Sequence, residues 1–252
     1  MMYAPKRIAR AAYWLAFGTS MEKRRVRQEC ARIAASLFGD FSIGEDYKLW
    51  RADKEFIEDY KRLSPLSPYS QERKFALREF SRLTGSMPGA IAECGCYQGA
   101  SAYFLARENA DVPIHLFDSF EGLSALSDQD VPVESDNMVW RKGNLRAAED
   151  IARETLKAFK NVYIHKGWIP AVFQKAPELK YRFVHIDVDL YQPTFDSLSY
   201  FYERMSPGGI IVMDDYGFTN CRGAYIAANE FMSDKPEYIL HLPTGQGVIL
   251  RR

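Results

Sequence analysis

The chain contains 252 residues, of which 47% are hydrophobic and 14% aromatic, so it can bury a large core and is not a disordered protein. Its 33 basic and 33 acidic side chains balance, which excludes a general electrostatic attraction to nucleic acid. Any charge that serves function must therefore be local. Four cysteines without the spacing of a disulfide framework favour a reducing, cytoplasmic environment.

The first 67 residues are predicted to form a helical extension, with a break at Phe41–Gly44. Residues 1–30 hold seven basic and two acidic side chains, and the apolar run Ala11–Phe17 is too short to span a membrane or to act as an export signal. A basic helix with aromatic residues packs on its own domain, packs on a second copy of the chain, or lies on an anionic membrane. We expect a packed helix and a homo-oligomer, and a peripheral membrane contact is the alternative.

Residues 68–252 are predicted to form one α/β domain. A helix over about residues 69–83 comes first, and short apolar runs then alternate with helical patterns. Strands are predicted at 90–94, 113–117, 161–165, 182–187 and 209–213, and helices near 100–108, 145–159, 194–205 and 221–232. This alternation indicates a mostly parallel sheet with helices on both faces. Two last runs, Tyr238–His241 and Gly247–Leu250, predict an edge hairpin and bring the sheet to seven strands.

A glycine-rich turn follows the first predicted strand and contains Glu93, Gly95, Tyr97, Gly99 and Ser101. The two glycines permit a sharp turn and a close approach of ligand to the N-terminus of the next helix. The carboxylate of Glu93 would repel a pyrophosphate but suits a cationic ligand, such as the amino acid part of S-adenosylmethionine. An ordinary tight turn between strand and helix is the alternative.

Two further loops belong to the same predicted donor site. The motif FDSFEG, at residues 117–122, ends the second strand, where the carboxylate of Asp118 can accept hydrogen bonds from the two hydroxyls of a ribose. Ser119 follows it, and a turn or helix cap is the alternative. The motif KGW, at residues 166–168, follows the third strand. Gly167 and Trp168 are assigned to the site because the indole can cover an adenine, although a core tryptophan is equally consistent.

Acidic residues end the fourth and fifth strands, in HIDVDLY (185–191) and MDDYG (213–217). The carboxyl ends of parallel strands share one crevice, so Asp187, Asp214 and Asp215 are expected to converge. Three carboxylates repel one another unless a cation lies between them, and an all-oxygen set favours Mg²⁺, then Mn²⁺ or Ca²⁺. Asp189 fits a helix cap as well as it fits the metal site.

In order and spacing, ECGCYQGAS, FDSFEG, HKGW, HIDVDLYQPT and MDDYG followed by CRGAYIAANEF resemble the macrocin O-methyltransferase family, over about residues 68–252. The resemblance implies a class I, Rossmann-like fold, S-adenosylmethionine as donor, a divalent metal, and methylation of a sugar hydroxyl on a glycan or glycosylated natural product. The residues that it places at the donor are Glu93, Gly95, Gly99 and Asp118. Those that it places at the metal are Asp187, Asp214 and Asp215, with Asp187 also the catalytic base. Val188 departs from the family, which often has glycine there.

Three other functions stay open. A nucleotide-sugar glycosyltransferase would use Asp187 and Asp189 as a D-x-D metal motif, but it leaves the glycine-rich turn unexplained. A nicotinamide-dependent oxidoreductase would need a third glycine in that turn. A non-catalytic scaffold would bind neither donor nor metal. Residues 119–144 lack periodicity and are long for a loop, which predicts a lid over the site.

Overall fold

The computed structural model describes residues 4–19, 22–23, 25–27, 30, 33, 48–66, 70–131 and 140–252. The chain divides into two compact units, residues 1–58 and 59–252. The predicted boundary, between residues 67 and 68, falls inside the second unit. The predicted break at Phe41–Gly44 lies outside the described residues.

The first unit begins with helix α1, Ala4–Phe17, and contains a short 3-10 turn at Leu49–Ala52. On α1, the side chains of Tyr13 and Phe17 are 62% and 77% exposed, and their ring centres lie 5.6 Å apart. The guanidinium of Arg10 lies 5.0 Å from the ring centre of Trp14. Among the helices that the structure describes, none is both long and apolar enough to cross a membrane. Helix α2 follows at Lys54–Leu63.

Within the described part of the second unit, seven strands form one sheet. They are β1 (Ala90–Cys94), β2 (Ile114–Asp118), β3 (Val162–Lys166), β4 (Tyr181–Ile186), β5 (Met205–Met213), β6 (Leu240–His241) and β7 (Gly247–Leu250), and their order is β3-β2-β1-β4-β5-β7-β6. The first five strands are parallel, and β7 lies antiparallel between β5 and β6. The predicted fold, a mostly parallel seven-stranded sheet with a terminal hairpin, is confirmed.

Five helices accompany this sheet in the described residues: α3 (Gln71–Leu83), α4 (Ala100–Glu108), α5 (Glu149–Leu156), α6 (Tyr191–Phe201) and α7 (Arg222–Met232). Helix α3 begins after Ser70, whose hydroxyl accepts a hydrogen bond from the backbone N–H of Arg73. Helix α6 begins earlier than the predicted residue 194. Its first N–H, at Tyr191, donates to the carboxylate of Asp130 at 2.7 Å, a cap from a distant loop that the local pattern cannot indicate.

Strands β1 and β4 are buried along their whole length because helices cover both faces of the sheet. Aromatic rings pack together beside these strands. The ring centres of Phe117 and Phe201 are 5.9 Å apart, and each lies 5.1 Å from the ring centre of Phe173. Fully burying one such ring contributes roughly 1.5–3 kcal/mol. The centre of the sheet is therefore a well-packed support for the loops that leave its carboxyl edge.

Candidate active site

A cavity of about 790 Å³ opens beside the carboxyl ends of β1, β2, β4 and β5. Strand order reverses between β1 and β4, and ligands of such sheets bind at this switch point. The predicted site residues that line the cavity are Gly95, Tyr97, Ser101, Asp118, Ser119, Gly167, Trp168, Asp187 and Asp215. Three predicted residues are not in its wall: Glu93, Gly99 and Asp214. Most of the predicted site is thus brought together, and three residues have other environments.

Asp118 organises the loops on the donor side of the cavity. One carboxylate oxygen accepts the backbone N–H of Tyr97 at 2.8 Å, and the other accepts that of Phe120 at 2.7 Å. Both residues have a positive φ, 48° and 57°, which side chains other than glycine rarely adopt. Burial raises the pKa of Asp118 even though these hydrogen bonds oppose the rise. Each oxygen keeps a lone pair that can accept from a ligand hydroxyl.

Glycine is required at position 95 because the backbone after β1 closely approaches the backbone after β4. Its φ is +81°, and a Cβ placed on it would lie 1.8 Å from the carbonyl oxygen of Asp187. Gly99 has a φ of +84° at the start of α4, and a Cβ there would lie 3.2 Å from a methyl group of Leu156. Gly99 therefore permits the close packing of α4 on α5.

Glu93, which the sequence assigns to the donor site, is not in the cavity wall. Glu93 is fully buried, and one carboxylate oxygen lies 2.7 Å from Nδ1 of His185. Glu93 on β1 stands opposite His185 on β4 in the register of the sheet, so this strand pairing supplies the partner. Burial alone would lower the pKa of His185, but Asp214 and Glu93 raise it to about 10. The two carboxylates therefore favour the protonated form of the buried imidazole.

Four acidic residues gather on the other side of the cavity. Ligand atoms of His185, Asp187 and Asp214 lie within 4.8 Å of one another, and so do those of Asp189, Asp215 and Cys221. Asp189, which the sequence left open between two roles, lines the cavity, and its backbone N–H donates to Asp215 at 2.9 Å. The cap of helix α6 is formed by Asp130 and not by Asp189. We call Asp187, Asp189, Asp214 and Asp215 the acidic cluster.

Burial and mutual repulsion raise the pKa values of three carboxylates in the acidic cluster. Burial, together with the charges of Asp214 and Asp215, raises the pKa of Asp187 to about 8. Burial and the charge of Asp187 raise the pKa of Asp189 to about 7. The pKa of Asp215 also lies well above its ordinary value, because of burial and then the charge of Asp189. Such shifts mark carboxylates that a cation would stabilise in their charged form.

Asp214 differs from the other three acids. One of its oxygens lies 2.5 Å from a guanidinium nitrogen of Arg73, and the other accepts from the side chain of Gln246 at 2.8 Å. Burial opposes ionisation, but His185, Arg73 and Lys74 together hold its pKa below the ordinary value. Of the three predicted metal ligands, Asp187 and Asp215 line the cavity. Asp214 is not in the cavity wall and is bonded to Arg73 of helix α3.

Sequence reasoning missed those basic residues, Arg73 and Lys74. Both line the cavity, with exposures of only 6% and 3%, and the guanidinium of Arg73 also lies 4.8 Å from the ring centre of Phe218. The pattern of α3 carries no signal for this, because charged residues on a helix normally face solvent. Cavity residues outside the predicted site also include Cys96, Leu123, Trp140, Phe218 and Cys221.

The donor chemistry of the acidic cluster fits a hard divalent cation. The cluster and Glu93 carry five carboxylates, and the adjoining cations are Arg73, Lys74 and His185. With every carboxylate ionised a formal charge of −2 would remain, which a single dication would neutralise, and the raised pKa values of Asp187 and Asp189 reflect this excess of negative charge. The cavity-facing acids supply carboxylate oxygens, the type that Mg²⁺ and Mn²⁺ prefer. Cys221 also faces the cavity, but burial raises the pKa of its thiol and so disfavours the thiolate.

The fold is that of the class I O-methyltransferases. The O-methyltransferase NovP superposes with a TM-score of 0.60 at 21% identity, over 72% of this chain and 80% of that one. The calicheamicin methyltransferase CalS11 also gives a TM-score of 0.60, at 18% identity, over 83% of this chain and 98% of that one.

The chain belongs to the macrocin-O-methyltransferase (TylF) family, whose model matches residues 76–235. A tetracenomycin-C rhamnosyl 4'-O-methyltransferase from Streptomyces olivaceus is 28% identical over 152 residues, which are 56% of this chain and 58% of that protein. Mycinamicin III 3''-O-methyltransferase from Micromonospora griseorubida is 27% identical over 159 residues, 57% of this chain and 61% of that protein. The match thus spans little more than half the length of these relatives. The family resemblance read from the five motifs is confirmed.

Proposed function

We propose that the protein is an S-adenosylmethionine-dependent, divalent-metal-dependent O-methyltransferase that acts on a sugar hydroxyl of a glycan or glycosylated natural product. One observation carries the proposal: a loop system organised by Asp118 and a cluster of carboxylates open into the same cavity at the switch point of the sheet. Family membership and the named activities of the relatives support it.

The donor binds, in this proposal, between the loop after β1 and the loop after β2. Asp118 accepts hydrogen bonds from the ribose while it keeps both loops in place. Gly95, Ser101 and Trp168 form the surrounding wall. S-adenosylmethionine supplies a methyl group on a sulfonium that leaves without protonation, so the chain has to provide position and electrostatics.

Asp187 and Asp215, which line the cavity, would hold the metal. Asp214 would be the third carboxylate of the site, beside the Arg73 and Gln246 side chains that it bonds. The metal would supply Lewis-acid stabilisation of the negative charge that develops on the acceptor oxygen. Asp187 takes the proton of the acceptor hydroxyl, the role that the resemblance of its motif to the family implies.

The acceptor lies against the remaining wall, which includes Trp140 and Phe218. Aromatic faces pack well on the apolar face of a sugar ring. Leu123, Ser124, Ala125 and Trp140 come from the segment that the sequence predicts as a lid, and residues 132–139 of that segment lie outside the described residues. The lid remains a prediction.

A glycosyltransferase that uses a D-x-D motif would need Asp187 and Asp189 on one metal. In the described part of the chain these two acids fall into separate ligand groups, the first with Asp214 and the second with Asp215. The same grouping also separates Asp187 from Asp215, so it does not distinguish the two functions. The loops held by Asp118 at the same cavity favour the methyltransferase, because a D-x-D glycosyltransferase leaves them unexplained.

The test is calorimetric titration of the purified protein with S-adenosylmethionine, and in parallel with a nicotinamide cofactor and nucleotide sugars. We expect that S-adenosylmethionine binds and that the nicotinamide cofactor does not. Nucleotide sugars are not expected to bind as donors. Methyl transfer is then measured on a panel of rhamnosides and nucleotide-linked rhamnose with Mg²⁺. Binding of a nicotinamide cofactor, or of no ligand at all, would refute the proposed function and favour the oxidoreductase or the scaffold.

A further inference from the structure

Lys74 is a buried cation at the acidic cluster to which the proposed function assigns no role. It lies on the first turn of α3, is 3% exposed, and lines the cavity. In the residues that the structure describes, its ammonium group forms no hydrogen bond or ion pair. Because Lys74 lines the cavity that the acidic cluster faces, its charge acts on the carboxylates of that cavity.

The neighbouring Arg73 provides a direct contrast. Its guanidinium is bonded to Asp214 at 2.5 Å and lies against the ring of Phe218, so its charge is matched within the protein. Lys74 acts on the cluster at longer range, through charge interactions with Asp187 and Asp214. Lys74 therefore shares the field of the same carboxylates that would hold a divalent metal.

We propose that Lys74 is a built-in counter-ion of the acidic cluster that competes with the divalent metal and sets the affinity of the site for it. The inference rests on the proposed metal site. With the ammonium in place, the cluster is partly neutralised before any metal arrives, and an incoming dication meets a like charge in a low-dielectric cavity. The metal therefore binds more weakly than four carboxylates alone would allow.

The experiment measures binding of Mn²⁺ alone, by calorimetry and by the electron paramagnetic resonance of free Mn²⁺, in the presence of S-adenosylhomocysteine. Lys74→Met removes the charge and keeps the apolar stem, and the Mn²⁺ dissociation constant should fall about tenfold or more. Lys74→Arg keeps the charge and should stay within about threefold of the wild type. The exposed Lys160, changed to Met, is the matched control and should leave the constant unchanged.

An unchanged or weaker Mn²⁺ affinity in Lys74→Met would overturn the proposal. Tighter binding in both Lys74→Met and Lys74→Arg would also overturn it, because packing rather than charge would then be responsible. Affinity for S-adenosylhomocysteine reports separately on the proposed function and on folding. If Lys74→Met no longer binds S-adenosylhomocysteine, Mn²⁺ binding is measured on Lys74→Gln. Loss of S-adenosylhomocysteine binding in both variants would show that the fold requires Lys74, and it would refute the proposed competition between Lys74 and the metal.

Discussion

The two sides of the cavity treat their carboxylates in opposite ways. On the donor side, both oxygens of Asp118 accept backbone N–H groups of the loops that form the wall. On the other side, Asp187 and Asp189 face further acids, and their pKa values are raised to about 8 and about 7. The carboxylate of Asp118 is paired with backbone N–H groups, whereas the carboxylates of Asp187 and Asp189 lie among like charges.

In the proposed function, the loops around Asp118 already have their backbone hydrogen bonds without ligand, while the acidic cluster would take its charge balance from a metal. Gly95 joins the two sides, because its backbone touches the carbonyl of Asp187. Perturbing the metal should therefore change chemistry and leave donor binding intact, and perturbing Asp118 should do the reverse.

The largest effect is expected from removal of metal. Chelation by EDTA should abolish methyl transfer, and Mg²⁺ in excess of the chelator should restore it, because the alkoxide charge then regains its Lewis acid. Calorimetry should give the same affinity for S-adenosylhomocysteine in both conditions. Full turnover in chelator would show that the acidic cluster works without metal.

Asp187→Asn should lower the turnover rate by roughly 10²- to 10⁴-fold, the usual contribution of a general base. The substitution preserves shape and removes both the charge and the basicity. Asp189→Asn is the comparison variant, and its effect on rate should be smaller. If Asp189→Asn is the more damaging of the two, the assignment of the base to Asp187 is wrong.

Asp118→Ala should weaken binding of S-adenosylhomocysteine by about 1 to 3 kcal/mol, because a ribose hydroxyl and two loop N–H groups lose their acceptor. Mn²⁺ affinity should stay near that of the wild type. Glu121→Ala, an exposed change in the same loop, is the control and should leave the affinity unaltered. Equal affinity in Asp118→Ala and wild type would remove Asp118 from the donor site.

Stability of the metal-free protein should fall as pH rises from about 5 to 8. Asp187 and Asp189 have pKa values far above the ordinary 3.8, so the folded state binds more protons than the unfolded state across this interval. His185, raised to about 10, acts in the same direction above its ordinary 6.5. Thermal unfolding in chelator measures this trend, and Mg²⁺ should raise the midpoint most at pH 8. A midpoint that rises with pH would contradict it.

The smallest effect is expected from deletion of residues 1–40. Every predicted donor residue lies in the second unit, so affinity for S-adenosylhomocysteine should not change in a still-folded protein. The assembly state, measured by light scattering, is expected to change. If the full chain co-sediments with anionic vesicles and the deleted chain does not, the segment makes a membrane contact rather than an assembly contact. Loss of affinity for S-adenosylhomocysteine in the deleted chain would contradict the prediction.

Local pattern alone determined the elements and much of the donor side. Strand β1 and helix α4 have their predicted bounds, because an apolar run ended by glycines and a helical repeat are features of a few neighbouring residues. The placement of Asp187 and Asp215 at one cavity was also predictable, since parallel strands bring their carboxyl ends to one edge.

Tertiary structure decided which charges meet. Glu93 pairs with His185 because β1 and β4 align in that register, and a shift of one residue would point one of them to the other face. Arg73 reaches Asp214 across 141 positions of sequence, and no repeat or spacing along the chain encodes that contact. Periodicity is a property of neighbours in sequence, whereas the balance of buried charge depends on neighbours in space, which only the folded chain establishes.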